Sequence, residues 1–237
     1  MKKSFICFLF FIIVLSACSN FKRDNPLDPE GIDFDPASDP VLFEDFESYS
    51  SWPDGGWGLQ KVGNHSDSYI APSPYPKTGK SLCLVAGDDS NINSATVISR
   101  TIPHLLKTEI SLKVYWAIPG PSDPTRLEIL FLDDNNFIRG VKFDVNTLCD
   151  FFWFKDYGWN DSFINVGGDE WISVVLYIDV VNKIIKISLP DYHWQIEDHM
   201  SMNFGPLSKI NIEARTDNPN GVVRSFYVDD IKIIKLF

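Results

Sequence analysis

Residues 110–118 constrain this chain more than any other stretch. Ile110, Leu112, Val114, Trp116 and Ile118 alternate with Ser111, Lys113, Tyr115 and Ala117. A period of two sends successive side chains to opposite faces, the pattern of a strand with one face in a core. The same texture recurs along the chain, interrupted by polar turns. Residues 127–132 and 138–145 flank Asp133-Asp134-Asn135-Asn136, and residues 170–179 and 183–189 flank Val180-Val181-Asn182. Residues 209–215 and 222–234 flank Asp217-Asn218-Pro219-Asn220-Gly221. These turn residues join strands into hairpins, and Ile172, Val174, Leu176 and Ile178 are expected to face the core. One short helix is expected over residues 192–202; no internal repeat and no long amphipathic helix is visible. Many strands of similar length predict an all-β fold, a two-sheet antiparallel β-sandwich.

The first eighteen residues say something different. Lys2 and Lys3 precede an uncharged apolar run over residues 5–15, which closes in Leu15-Ser16-Ala17-Cys18. That order is a secretory signal, and the run is short for a membrane span of about 20 residues. Leu-Ser-Ala-Cys closely resembles the lipobox of bacterial lipoproteins. The resemblance implies lipidation at Cys18, which becomes the mature N-terminus; an uncleaved anchor or an ordinary signal cut elsewhere is the other reading. Ser19 stands where an aspartate often retains lipoproteins in the inner membrane, so the resemblance implies the outer membrane, with a periplasmic or surface-exposed domain. The expected organisation is a signal peptide over 1–17, a lipidated Cys18 with a tether rich in Pro and Asp over 18–40, and a β-sandwich over 41–237. A tether of this composition has little to bury and serves as a spacer.

The formal charge is −11 and becomes −13 once Lys2 and Lys3 leave with the signal. Such acidity argues against nucleic acid, which requires a basic footprint. It also disfavours adhesion to anionic headgroups, leaving the acyl chains as the expected membrane contact. With Cys7 in the signal and Cys18 lipidated, Cys83 and Cys149 remain. In an oxidising envelope they either pair, worth roughly 4 kcal/mol for so long a loop, or act as two separate buried thiols.

Four short motifs add a family resemblance. Phe43-Glu44-Asp45-Phe46-Glu47 followed by Trp52 and Trp57 is similar to the opening strand of MAM-like and other concanavalin-A-like jelly rolls. Gly79-Lys80-Ser81-Leu82-Cys83-Leu84 resembles their second strand, and Glu170-Trp171-Ile172 running into Tyr177-Ile178-Asp179 resembles a laminin-G-type hairpin. Phe226-Tyr227-Val228-Asp229-Asp230-Ile231 resembles the closing strand. The resemblance implies a jelly roll of the concanavalin-A-like lectin/glucanase type. It also implies one structural calcium shared by the first and last strands, at Glu47 and Asp230. The oxygen-rich loop over residues 88–93 is an independent calcium candidate. Solvated acidic strand ends and a plain turn account for the same residues without an ion.

Catalytic signatures are absent. Glycosidases of this fold class align carboxylates as Glu-x-Asp-x-Glu on one strand, and no such run exists. Glu44 and Glu47 are three apart and face opposite sides of a straight strand. His65, His104, His193 and His199 offer no three or four convergent zinc ligands, and no nucleophile elbow or phosphate loop is present. The aromatic residues carry more. Trp153, Lys155, Tyr157 and Trp159 share parity, so an extended segment would send Phe152 and Phe154 inward and line its other face with those four. Flat rings beside polar groups suit sugars, whose C–H faces stack. Trp52 and Trp57 are expected to form a second platform, to which Trp194 would add, with hydrogen bonds from Lys113, Glu128, Lys142, Glu213 and Arg215. Core tryptophans are the plainer account of any single ring. The leading expectation is an envelope lipoprotein whose domain binds a glycan without cleaving it. A protein-binding adhesion or assembly module is the alternative, and a glycoside hydrolase or polysaccharide lyase with a dispersed site the third.

Overall fold

The computed structural model describes residues 40–237 except 64, 75–78, 88–93, 118–124, 137, 146–149, 156–157, 201–203 and 217–222, and except the side chains of Ile138 and Lys155. The chain divides into Met1–Ser38 and Asp39–Phe237, and every described element belongs to the second unit. Its strands in chain order are β1 Leu42–Glu44, β2 Gly58–Val62, β3 Asp67–Pro72, β4 Lys80–Ala86, β5 Ser94–Leu105, β6 Lys107–Trp116, β7 Thr125–Leu132 and β8 Ile138–Val145. They continue as β9 Asp150–Lys155, β10 Gly158–Asn165, β11 Ile172–Asp179, β12 Ile184–Leu189, β13 Trp194–His199, β14 Leu207–Thr216 and β15 Arg224–Lys235. The helix expected over residues 192–202 is instead a single 3-10 turn, Pro190–Tyr192, leading into β13. Trp194, Ile196 and Asp198 there carry the alternation of an edge strand, paired with β12.

Two antiparallel sheets form a β-sandwich, the jelly roll of lectin type. Sheet 1 runs β13-β12-β11-β6-β15-β4-β3, with β1 added on β15; sheet 2 runs β10-β9-β8-β7-β14-β5-β2. The alternation explains the layers. Ile172, Val174, Leu176 and Ile178 are completely buried, as are Ile110 and Val114 opposite them on β6. From sheet 2, Ile129, Phe131, Val141, Phe143, Phe151, Ile210 and Ile212 fill the other half of the core. Each such side chain contributes on the order of 1.5–3 kcal/mol by leaving water. Trp116 packs on Phe143 with ring centroids 5.2 Å apart, bridging the sheets.

Two local devices hold the registers. Gly140 sits where β7 and β8 approach so closely that a Cβ would lie 2.0 Å from the Ile129 carbonyl oxygen. In β15 the pairing with β6 slips by one residue between Asp229 and Lys232, and Asp230 adopts φ 51°. This bulge changes the strand's phase: Phe226 and Val228 point inward before it, Ile231 and Ile233 after it.

Candidate functional site

The outer face of sheet 2 brings together residues far apart in sequence. Register pairs place Gln60, Val97, Glu213, Glu128, Lys142, Phe152 and Asp161 in one row across seven strands. At ordinary strand spacing the row spans roughly 30 Å. Beside it runs a second row of Arg215, Arg126, Asp144 and Asp150. Although they point away from the core, Glu128, Glu213 and Lys142 are only 8%, 8% and 9% exposed. Their neighbours cover them. Arg126 Nε lies 2.7 Å from Glu128 Oε1, Arg215 Nε 2.7 Å from Glu213 Oε1, and Lys142 Nζ 2.8 Å from Asp144 Oδ2.

Aromatic rings border this charged centre. Lys142 Nζ sits 4.2 Å from the Phe152 ring centroid and 5.3 Å from that of Trp159, within cation–π range. Phe154 meets Trp159 edge to face at 5.2 Å. Burial pushes the Glu128 carboxyl above the usual carboxylate range; Glu213 reinforces the rise, while Arg126, Arg215 and Lys142 oppose it. Glu213 Oε1 has the Arg215 guanidinium at 2.7 Å, whereas among the described residues Asn211 Oδ1 is buried without a hydrogen-bond donor. Leaving such an acceptor unmet costs about 1–3 kcal/mol, so it favours a ligand that donates.

Several sequence expectations are corrected here. Trp153 does not share a face with Trp159. Val141 pairs with Trp153 and Phe143 with the fully buried Phe151, so the odd positions of β9 point inward and Phe152 and Phe154 point out. Trp153 packs on Trp194 at 6.0 Å between the sheets, and its Nε1 donates to Asp198 at 3.4 Å. The parity argument fails at the hairpin: Lys155 pairs with Gly158 and Trp159 with Phe154, so a residue of odd number meets one of even number across it. Tyr157 and the Lys155 side chain lie outside the described residues. Glu128, Lys142, Glu213 and Arg215 do share one patch, whereas Lys113 belongs to sheet 1.

Trp57 is a core residue, 5% exposed, and forms no open platform. It joins Phe46, Tyr49 and Trp52 in an aromatic plug against the sandwich. Trp52 alone keeps an open side, in a shallow hollow of about 410 Å³ with Tyr49, Tyr69 and Lys80, while its Nε1 donates to Ser68 at 2.8 Å.

The calcium pair fares differently. Glu47 Oε1 accepts the Lys80 backbone N–H at 2.7 Å, and Gly79, at φ 83°, must lack a Cβ to let that carboxylate approach. Asp230 is held by Lys113 Nζ at 2.7 Å. Asp229 lies within electrostatic reach of both, and burial pushes its carboxyl up to about 7. Calcium takes six to eight oxygens. Among the described residues no group of three or more histidine, cysteine or acidic side chains is placed to hold a metal ion, and Asp230 is paired with Lys113. Loop 88–93, the other calcium candidate, lies outside the described residues.

Cys83 is a free, fully buried thiol, in line with the second of the two readings, while Cys149 and Cys18 lie outside the described residues. The thiol belongs to a row the sequence did not reveal. Tyr69, Cys83, Tyr227 and Tyr115 pair in register across β3, β4, β15 and β6 on the outer face of sheet 1. Hydroxyls of Tyr69, Ser225 and Tyr227 bond the thiol, whose pKa burial raises. Tyr115 packs against Tyr227 at 5.9 Å and Trp171 at 5.6 Å, and donates its hydroxyl to Asp169 at 3.3 Å.

No protein-family model matches the chain, and no curated protein matches it. Solved structures do. A sialidase aligns over 83% of this chain at 14% identity and a TM-score of 0.64, and this chain spans only 19% of its length. An endo-β-1,4-glucuronan lyase from the fungus Trichoderma reesei covers 84% of this chain and 97% of its own, at 10% identity and a TM-score of 0.59. Lectin II from Ulex europaeus covers 84% and 100%, at 11% identity and a TM-score of 0.57. At such identities the likeness is one of fold. It defines the class: a concanavalin-A-like jelly roll, an architecture shared here by a lectin and by carbohydrate-active enzymes.

Proposed function

We propose that the domain binds a glycan on the outer face of sheet 2 without cleaving it, as part of a lipoprotein anchored through Cys18 in the bacterial outer membrane. The observation that carries the reading is the buried Glu128–Lys142–Glu213 centre, edged by Phe152 and Trp159, with an unmet acceptor on Asn211 beside it. An extended glycan of several sugars matches both halves of that surface. Hydroxyls of one sugar donate to Asn211 Oδ1 on β14, while the C–H face of another, four strands away on β10, stacks on the Trp159 ring. Nothing need be protonated or broken for this. A glycan-array screen of residues 39–237, repeated with Trp159→Ala and Glu213→Gln, tests it. Hits lost in both variants support the site; hits retained in both place the glycan elsewhere, and a blank array removes the reading. Cys18→Ala should abolish incorporation of labelled fatty acid, and unchanged labelling would refute the anchor.

A specific observation favours one rival. Glu128 and Glu213 are direct register partners, which sets their Cβ atoms about 4.5–5.5 Å apart. Retaining glycosidases hold their two carboxyls about 5–5.5 Å apart. Glu128, pushed up by burial, would be the acid and Glu213 the nucleophile. That reading requires new reducing ends from a bound glycan, abolished by Glu128→Gln with binding intact.

A further inference from the structure

Trp52 is held at the edge of a sheet rather than in its core. Its Nε1 donates to Ser68 Oγ on β3 at 2.8 Å, and β3 is the last strand of sheet 1. The indole leans on Tyr49, Phe46 and Trp57, with ring centroids 5.8, 6.0 and 6.3 Å away. It also lines the hollow of about 410 Å³, a size common among small-molecule sites.

The edge of β3 is nearly closed to another strand. Ser73 N–H bonds the Gly79 carbonyl at 3.1 Å, so residues 73 and 79 form a hydrogen-bonded pair. Such pairs alternate along an antiparallel ladder, which turns the backbone groups of residues 68, 70 and 72 away from β4. Ser68 N–H is taken by Asp67 Oδ1 at 2.8 Å, and Pro72 has no N–H. Among the described residues, Ile70 alone keeps a donor on this edge, and Ile70 lines the hollow. An added strand would find one N–H where a ladder needs a row. A small ligand needs only one.

The other groups around the hollow suit a sugar. Lys80 Nζ donates to the Glu47 and Tyr49 carbonyls at 3.0 and 3.1 Å, which leaves the third of its N–H donors for a ligand. Glu47 Oε1, 2.7 Å from the Lys80 backbone nitrogen, offsets the ammonium charge, so the hollow is not built for an anion. Ser50 and Ser51 add exposed hydroxyls. The hydroxyls of Tyr49 and Tyr69 are already engaged, by Glu44 at 2.6 Å and by Cys83, so these two residues offer their rings. Flat rings beside a few convergent donors match the apolar C–H face and the hydroxyl oxygens of a pyranose.

We propose that this hollow is a second glycan site, in which one neutral pyranose unit stacks on Trp52 and accepts hydrogen bonds from Ile70 N–H and Lys80 Nζ. It shares only its ligand class with the site on sheet 2, since its residues belong to the β1–β2 connection, β3 and the start of β4. A glycan long or branched enough to reach both sites would be held more firmly than by either alone, because the first contact raises the effective concentration at the second.

Nitrogen-15 spectra of residues 39–237, which contain every described strand and the whole described core, test the site directly. The Trp52 indole N–H and the Ile70 amide report from its wall. The protein is titrated with methyl glycosides of glucose, galactose, mannose and N-acetylglucosamine, and with methyl glucuronoside. Both signals are expected to shift with at least one neutral glycoside, and Trp52→Ala should weaken that binding about tenfold or more, read at Ile70. Because Trp52→Ala also removes a ring from the aromatic plug, Ser50→Phe, which fills the hollow from an exposed position, is measured beside it and should weaken binding as much. Thermal melts confirm that both variants fold. Silence of both signals toward every glycoside, or unchanged shifts in Ser50→Phe, overturns the proposal. So does tighter binding of the glucuronoside than of every neutral glycoside, or an extended peptide that shifts Ile70 where no sugar does. Trp159→Ala should leave the Ile70 shift in place. A silent hollow beside array hits that depend on Trp159 leaves the sheet 2 reading standing, and the reverse result leaves this one.

Discussion

The outer faces of the two sheets are built from similar residue types and end in opposite states. On sheet 1, aromatic rings meet one another: Tyr115 lies against Tyr227 and Trp171, and tyrosine and serine hydroxyls converge on the Cys83 thiol. The polar atoms of that row find partners within it or, for the Tyr115 hydroxyl, in Asp169. On sheet 2 the rings of Phe152 and Trp159 stand beside Lys142, and the amide oxygen of Asn211 finds no donor among the described residues. An aromatic row is thus no evidence of a ligand by itself. Unmet polar capacity beside it is what separates a binding surface from a lid.

Truncating a ring on each face should separate the two roles most sharply. Tyr115→Ala, at a position 9% exposed, should cost about 3 kcal/mol and lower Tm by roughly 6–12 °C, with glycan affinity unchanged when measured on the folded protein. Calorimetry and binding together read this; a loss of affinity at constant Tm would reverse the assignment of the faces. Trp159→Ala should do the opposite, weakening a bound glycan by about tenfold or more while costing under about 1 kcal/mol of stability. Titration calorimetry beside a thermal melt checks both halves.

The carboxylates sharpen the comparison through pH. Asp229, on the outer face of sheet 1, has its carboxyl pushed up to about 7 by burial, above the value near 3.9 of an unfolded aspartate. The folded state therefore holds the proton more tightly than the unfolded one. The stability this provides is complete below the unfolded value and is lost as pH rises through about 7. Tm of the native protein should fall between pH 5 and 8, and Asp229→Asn should flatten that slope; parallel profiles would dismiss the effect. Glu128, on sheet 2, is raised in the same direction, again by burial, and partly offset by Arg126. Glu128→Gln should be slightly more stable than the native protein at neutral pH, by under about 1 kcal/mol, with the gain disappearing in acid. Stability curves at both pH values settle the sign.

How much of this was legible in the sequence depends on the range of the interaction involved. The strands at Ile110–Trp116 and Ile172–Ile178 follow from alternation, because period two acts between neighbours in the chain. The 192–202 segment misled because Trp194 and Ile196 sit on an edge strand, where one side is wet and the hydrophobic signal is thin. Trp153 and Trp159 misled for a geometric reason: parity holds inside one strand and is reset by every hairpin. Glu128 and Glu213 were legible as polar outward residues, yet nothing 85 positions apart in sequence announces that they are direct neighbours. The Tyr69–Cys83–Tyr227–Tyr115 row was illegible for the same reason.

By itself, then, the sequence determined the all-β class, most hairpins and much of the inward set, such as Ile172, Val174, Leu176 and Ile178. Those depend on local periodicity and local chemistry, which a linear string preserves. Only the tertiary structure decided which outward residues share a row, and which rings cover and which remain beside an unmet acceptor. Strand order in a jelly roll joins segments by contacts across the whole chain. Burial, pKa and charge at a site follow from that joining, and no local pattern encodes it.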